Sequence, residues 1–140
     1  MFENILVPTD GSDAANRATD HATDLAGESN GTVHALYVVD MGEADFVAVP
    51  SDIAETKARI REKGEDLVAD VCYQVEAAGV DCVTAVVTGI PDEEILAYAA
   101  ENDVDLIAMG AHGKRDPDKP LLGNTARRVI QESSVPVHTV

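Results

Sequence analysis

Short, continuously apolar runs alternate along the chain with longer stretches whose apolar positions recur at helical spacing. Asn4 to Pro8 reads as a short buried strand, Ile5-Leu6-Val7 being apolar without interruption. Thr9-Asp10-Gly11-Ser12 is a turn, with Ser12 a helix N-cap and Asp13 in the first helical turn. The helix that follows runs to about Gly27 and places Ala15, Ala18, Ala22, Leu25 and Ala26 on one face. Thr32 to Asp40 is a second strand. Met41 to Ser51 contains no clear element. Asp52 to Ala78 reads as a long helix stopped by Gly79, and Val80 to Val87 as a third strand. Pro91 sits in the first turn of a helix from about Asp92 to Glu101, where its missing N–H costs nothing. Val104 to Met109 is a fourth strand, and Gly110 to Leu122 a polar loop containing Gly and Pro. Gly123 or Asn124 opens a last helix to about Ser133, and Val135 to Val140 closes the chain as a fifth strand.

Five strands with helical crossovers predict an open parallel sheet covered by helices on both faces, an α/β fold of Rossmann-like type. Strands buried on both sides should be uninterrupted apolar runs, as these are. A chain of 140 residues is expected to form one domain, residues 1–140. It needs no disulfide or metal to complete its core at this size. No apolar run approaches the length of a membrane span, and no basic segment precedes the first apolar run, so a cytoplasmic protein is expected.

Charge changes the picture. Lys and Arg total 10 against 26 Asp and Glu, a net charge of -16 spread along the whole sequence. Such a surface repels nucleic acid and anionic membranes. It points to a halophilic source, with a cytoplasm of very high salt in which self-repulsion is screened; an ordinary acidic cytosolic protein is the alternative. Cys72 and Cys82 belong to no C-x-x-C pair and lie among apolar residues, which predicts buried free thiols.

In an open parallel sheet, ligands bind beyond the carboxyl ends of the strands at a topological switch point. Three segments occupy such ends: Pro8 to Ser12, Val38-Val39-Asp40, and Gly110 to Thr125. In the third, Gly110 and Gly113 leave a strand and allow backbone to approach a ligand. Gly123-Asn124-Thr125 begins a helix, where free N–H groups and the helix dipole favour an anion. Residues 114–128 hold five basic and two acidic side chains in a strongly acidic protein. That reversal fits a phosphate-bearing ligand. Glycines after a strand are also ordinary turn residues, and Arg127 and Arg128 could equally face acidic neighbours.

Asp10 ends the first strand near the switch point, where its carboxylate could reach a ribose hydroxyl, a base amino group or a metal-bound water. The alternative is a turn carboxylate bonding local backbone N–H groups. His112, without a paired carboxylate, is a weak catalytic candidate, and Glu93 and Glu94 read as structural acids in a first helical turn. The chain lacks G-x-x-x-x-G-K-[ST], a G-x-G-x-x-G after the first strand, G-x-S-x-G and H-E-x-x-H, which argues against a P-loop NTPase, a Rossmann dehydrogenase, an α/β-hydrolase and a zincin.

The opening Ile5-Leu6-Val7-Pro8-Thr9-Asp10-Gly11-Ser12, the closing Val135 to Val140 and the element order between them resemble the universal stress protein family over essentially the whole chain. Gly110, Gly113 and Gly123 match the spacing of that family's nucleotide-binding pattern, G-2x-G-9x-G-[S/T]. The resemblance implies strand order 3-2-1-4-5 and a homodimer joined through the last strand, Val135 to Val140. It implies ATP with Mg²⁺ as ligand. Asp10 is then expected beside the adenosine, with Pro8 and Thr9 backbone nearby, and Val38 against adenine through its main chain. Met109, Gly110 and Gly113 are expected along the ribose and phosphate path, and Gly123, Asn124 and Thr125 at the phosphates.

One position departs from the pattern: Asn124 stands where the family has Ser or Thr. Thr125 follows, but it projects about 100° away around a helix. The readings carried forward are an ATP-binding regulatory module acting on an unidentified protein partner and, alternatively, a nucleotide-independent dimeric interaction protein. A slow ATP hydrolase lacks an evident general base. Catalytic and metal-ligating residues are therefore expected to be absent.

Overall fold

The computed structural model describes residues 2–40, 50–111 and 123–140. Five strands, β1 (Asn4–Pro8), β2 (Thr32–Asp40), β3 (Asp81–Gly89), β4 (Leu106–Met109) and β5 (Val137–Thr139), form one sheet. The order is β3-β2-β1-β4-β5, and all four pairings are parallel. The described helices are α1 (Asp13–Ser29), α2 (Pro50–Ala77), α3 (Pro91–Glu101) and α4 (Asn124–Glu132).

Alternation along the central strands divides the core between two layers, because successive side chains leave opposite faces of a strand. Ile5, Val7, Val33, Ala35, Leu106 and Ala108 face α1 and α2, meeting Ala22, Ala26, Val68, Val71 and Val75. Leu6, Leu36, Ile107 and Met109 face α3 and α4, meeting Ile95, Ala99, Ala126 and Val129. Both faces being covered is why these strands read as continuous apolar runs. The edge strand β3 is different, since Val83 and Thr84 are exposed despite its apolar sequence.

α1 packs through alanines. Ala14, Ala15, Ala18, Ala22 and Ala26 are buried. Ser12 caps the helix as its sequence predicts, its Oγ accepting from the Ala15 N–H at 3.2 Å. Two strands are shorter than expected. Pro136 has no N–H for a ladder, so β5 begins at Val137, although the Pro136 carbonyl still accepts from the Ile107 N–H at 3.0 Å. The Val104 N–H donates back to Ala99 O at 3.1 Å and closes α3, which delays β4 to Leu106.

The cysteines correct an expectation. Cys72 and Cys82 are joined in a disulfide and are not free thiols. α2 stops at Ala77 and the chain reverses at Gly79, whose φ is +80°. β3 then runs back along the helix and brings the two Cα atoms to 5.3 Å, within the span a disulfide bridges.

A partly buried polar cluster around His34 ties β1, β2 and α3 together. His34 Nε2–H donates to Asn4 Oδ1 at 3.0 Å, and its Nδ1 accepts from the Tyr98 hydroxyl at 2.7 Å. The amide oxygen of Asn4 can only accept, which assigns the proton to Nε2. Burial holds the His34 pKa below its ordinary value and pushes that of Tyr98 up.

Candidate ligand cleft at the switch point

From β1 the chain moves outward through β2 to β3, then crosses back so that β4 and β5 lie on the other side of β1. The switch point therefore lies between β1 and β4, and the loops leaving their carboxyl ends diverge there. A cavity of ≈ 390 Å³ opens at this place, inside the range of small-molecule sites. It is lined from β1 and its loop by Pro8, Thr9 and Asp10, from β2 by Val38, and from β4 by Met109 and Gly110. Gly123, Asn124 and Thr125, at the start of α4, complete that wall. These are nine of the ten residues that the sequence singles out. The tenth, Gly113, lies outside the described residues, as do His112, Lys114, Arg115 and Lys119.

The first loop is shaped by its own side chains. Thr9 Oγ1 accepts from the Gly11 N–H at 3.1 Å, and Asp10 Oδ1 accepts from the Ser12 N–H at 2.9 Å. The Thr9 N–H donates to Leu36 O at 2.9 Å, extending the β1–β2 ladder. Gly11 turns the chain with φ +79°, a value that suits glycine. Asp10 is thus a turn carboxylate and a wall of the cavity at once.

The second loop is pinned at both ends. Gly123 N–H donates to Ala111 O at 2.7 Å, Ala111 N–H to Val140 O at 2.9 Å, and Val140 N–H to Met109 O at 3.0 Å. Its two described glycines differ in kind. A Cβ on Gly110 would lie 2.7 Å from Ala14 Cβ and 3.0 Å from Ala15 N, so glycine is required there by the approach of α1. Gly123 has an ordinary φ of -63°, and among the described residues a Cβ on it would meet nothing nearer than Ala111 O at 3.4 Å. No described neighbour demands glycine at position 123. Gly123 at the N-cap of α4 has no side chain to cap it, so the helix start is presented beside the cavity with the positive end of its dipole.

For Arg128 the structure favours the alternative that the sequence left open, an acidic neighbour. Arg128 reaches Asp92 Oδ1 at 3.7 Å, and Asp92 is buried at the start of α3. That arginine is committed to an acidic neighbour. Lys63, from the middle of α2, lines the cavity instead. Sequence reasoning missed Lys63, because no local motif says that α2 crosses the end of β2. It also missed Gly64, where a Cβ would overlap the ring of Tyr37, another lining residue. Among the described residues no group of three His, Cys, Asp or Glu side chains could hold a metal ion.

The sheet order and the cleft define a doubly wound α/β protein with an open cavity at its switch point. The chain belongs to the universal stress protein family, whose model matches residues 1–140. It is similar to Universal stress protein MJ0531 of Methanocaldococcus jannaschii, at 36% identity over 145 residues covering 100% of this chain and 82% of that one. The solved structure of MJ0577, a universal stress protein of the same organism, superposes with TM-score 0.90 at 33% identity, covering 100% of this chain and 96% of that one. UspA from Lactobacillus plantarum gives TM-score 0.87 at 29% identity, with 99% and 97% covered. The same fold is seen, at 24% and 21% identity, in a universal stress protein in complex with cAMP and in one from Archaeoglobus fulgidus in complex with dAMP. No described helix is long and apolar enough to cross a membrane.

Proposed function

We propose that the cleft binds an adenine nucleotide, ATP with Mg²⁺, and that the protein acts in the cytoplasm as a nucleotide-responsive regulatory module of the stress response. The observation that carries this reading is the convergence of three strand ends and an uncapped helix start on one cavity. The N–H groups opening α4 suit phosphate oxygens. Asp10 suits a ribose hydroxyl, and the main chain at Val38 suits the edge of adenine. Gly123 is compatible with the same reading, since no side chain at that position stands between its backbone and the cavity it lines. Mg²⁺ keeps most of its waters and binds mainly through the nucleotide's phosphates, so it asks for no carboxylate cluster.

Residues 1–140 serve in this proposal as one domain. The module works as a homodimer joined along the C-terminal strand and acts on a protein partner, with nucleic acid disfavoured by the net charge of -16. Binding in high salt rests on short-range N–H contacts, because at about 1 M salt the Debye length is roughly 3 Å.

Calorimetry with ATP and Mg²⁺ in molar KCl, on protein freed of co-purified nucleotide, tests this. Saturable binding of one nucleotide per chain is expected, abolished in Gly123→Val while circular dichroism shows the fold retained. Absence of binding to a folded protein would favour the second reading, a nucleotide-independent interaction protein. Asn124 in the place of Ser or Thr is the observation on that side.

A further inference from the structure

A second constellation lies outside the cleft. His21, in the middle of α1, and His138, the central residue of β5, are 117 positions apart in sequence. His138 pairs in register with Ala108, whose side chain faces the α1 layer. The histidine therefore projects toward α1, at the edge of the sheet. There His21 Nδ1 and His138 Nε2 approach to 2.8 Å, with ring centroids 5.0 Å apart and planes tilted by 39°. His21 is exposed and His138 half-buried, and neither lines the cavity.

We propose that His21 Nδ1 and His138 Nε2 form a two-imidazole chelate site for a divalent transition metal ion, with Cu²⁺ preferred. Imidazole nitrogens bind such ions at about 2.0 Å. The two nitrogens are close enough to reach one ion once the rings turn out of their mutual hydrogen bond, and imidazole sites follow the order in which Cu²⁺ exceeds Ni²⁺ and Zn²⁺. In the metal-free pair, one nitrogen donates a proton to the other. On binding, that proton moves to the outer nitrogen of its own ring, leaving two inner lone pairs for the ion. No proton is lost, and the remaining coordination positions are filled by water. Asp20 and Asp24, exposed on the same helix, add negative charge beside a dication, offset in part by Arg17, exposed one turn before His21. The site does not depend on the nucleotide reading.

The test is titration of untagged protein with Cu²⁺ in KCl and a non-chelating buffer, followed by calorimetry and by NMR of the histidine rings. One Cu²⁺ per chain is expected, with paramagnetic broadening of His21 and His138 well before His34. His21→Ala should weaken binding at least about tenfold. His138→Gln, whose fold is checked by circular dichroism, should do the same. One ion per two chains, with both histidines still required, also supports the site and places it between copies. Absence of saturable binding, binding that survives His21→Ala, or broadening centred on other residues would overturn the proposal.

Discussion

Gly110 and Gly123 flank one loop and carry different constraints. Gly110 is closed in by Ala14 and Ala15, so Gly110→Ala should destabilise the fold by about 1–3 kcal/mol through overpacking. Gly123→Ala has room for its methyl among the described residues and should cost less than Gly110→Ala, only the smaller loss of replacing glycine at the N-cap of α4. Thermal melts of the two variants measure the contrast. His34 makes a pH prediction. Its pKa is lowered in the folded state, so the unfolded chain takes up the proton first as pH falls. The stability from its neutral, buried form is fully present above the ordinary histidine value of 6.5 and is lost as pH drops from there toward the folded-state pKa. Urea denaturation across this range should show His34→Gln with a flatter dependence than the wild type. Equal slopes would remove His34 as the cause.

At the scale of elements, the α2–β3 unit is stapled and the others are not. The disulfide closes a loop with a sequence separation of 10, which corresponds to about 2–3 kcal/mol in the chain-entropy account. Thiol titration of denatured, unreduced protein should find no free thiol, and two after reduction. Reduction should lower the stability by that amount. α1 is held by its alanine face and by Ser12, while α4 is left uncapped beside the cavity.

Across the whole molecule, shape and charge act in opposite directions on association. β5 ends the sheet, and the residues flanking it, Pro136 and Val140, bond inward to β4, which by alternation turns the Thr139 N–H away from β4. An edge of that kind pairs readily with another chain. Each copy brings a net charge of -16, so pairing is opposed until salt screens it. Sedimentation should show a dimer whose population rises with KCl, and Thr139→Pro should remain monomeric while folded. A monomer at every salt concentration would exclude this edge as the joint.

Element order, the two-layer core and the location of the cleft were legible in the chain, because they depend on local periodicity, on turn residues such as Gly11 and Gly79, and on the rule that parallel sheets bind at strand ends. The strand order and nine cavity-lining positions followed from the family resemblance and its glycine spacing. Tertiary structure alone decided which distant groups meet. The fold-back of β3 on α2 joined Cys72 to Cys82, the crossing of α2 carried Lys63 to the cavity, and the packing of α4 on α3 committed Arg128 to Asp92. The pairing of His21 with His138 arises in the same way. Periodicity in a sequence reports which face of an element is apolar. It does not report how elements rotate and slide against one another, and a side-chain contact between distant residues depends on that placement to within a few tenths of an ångström.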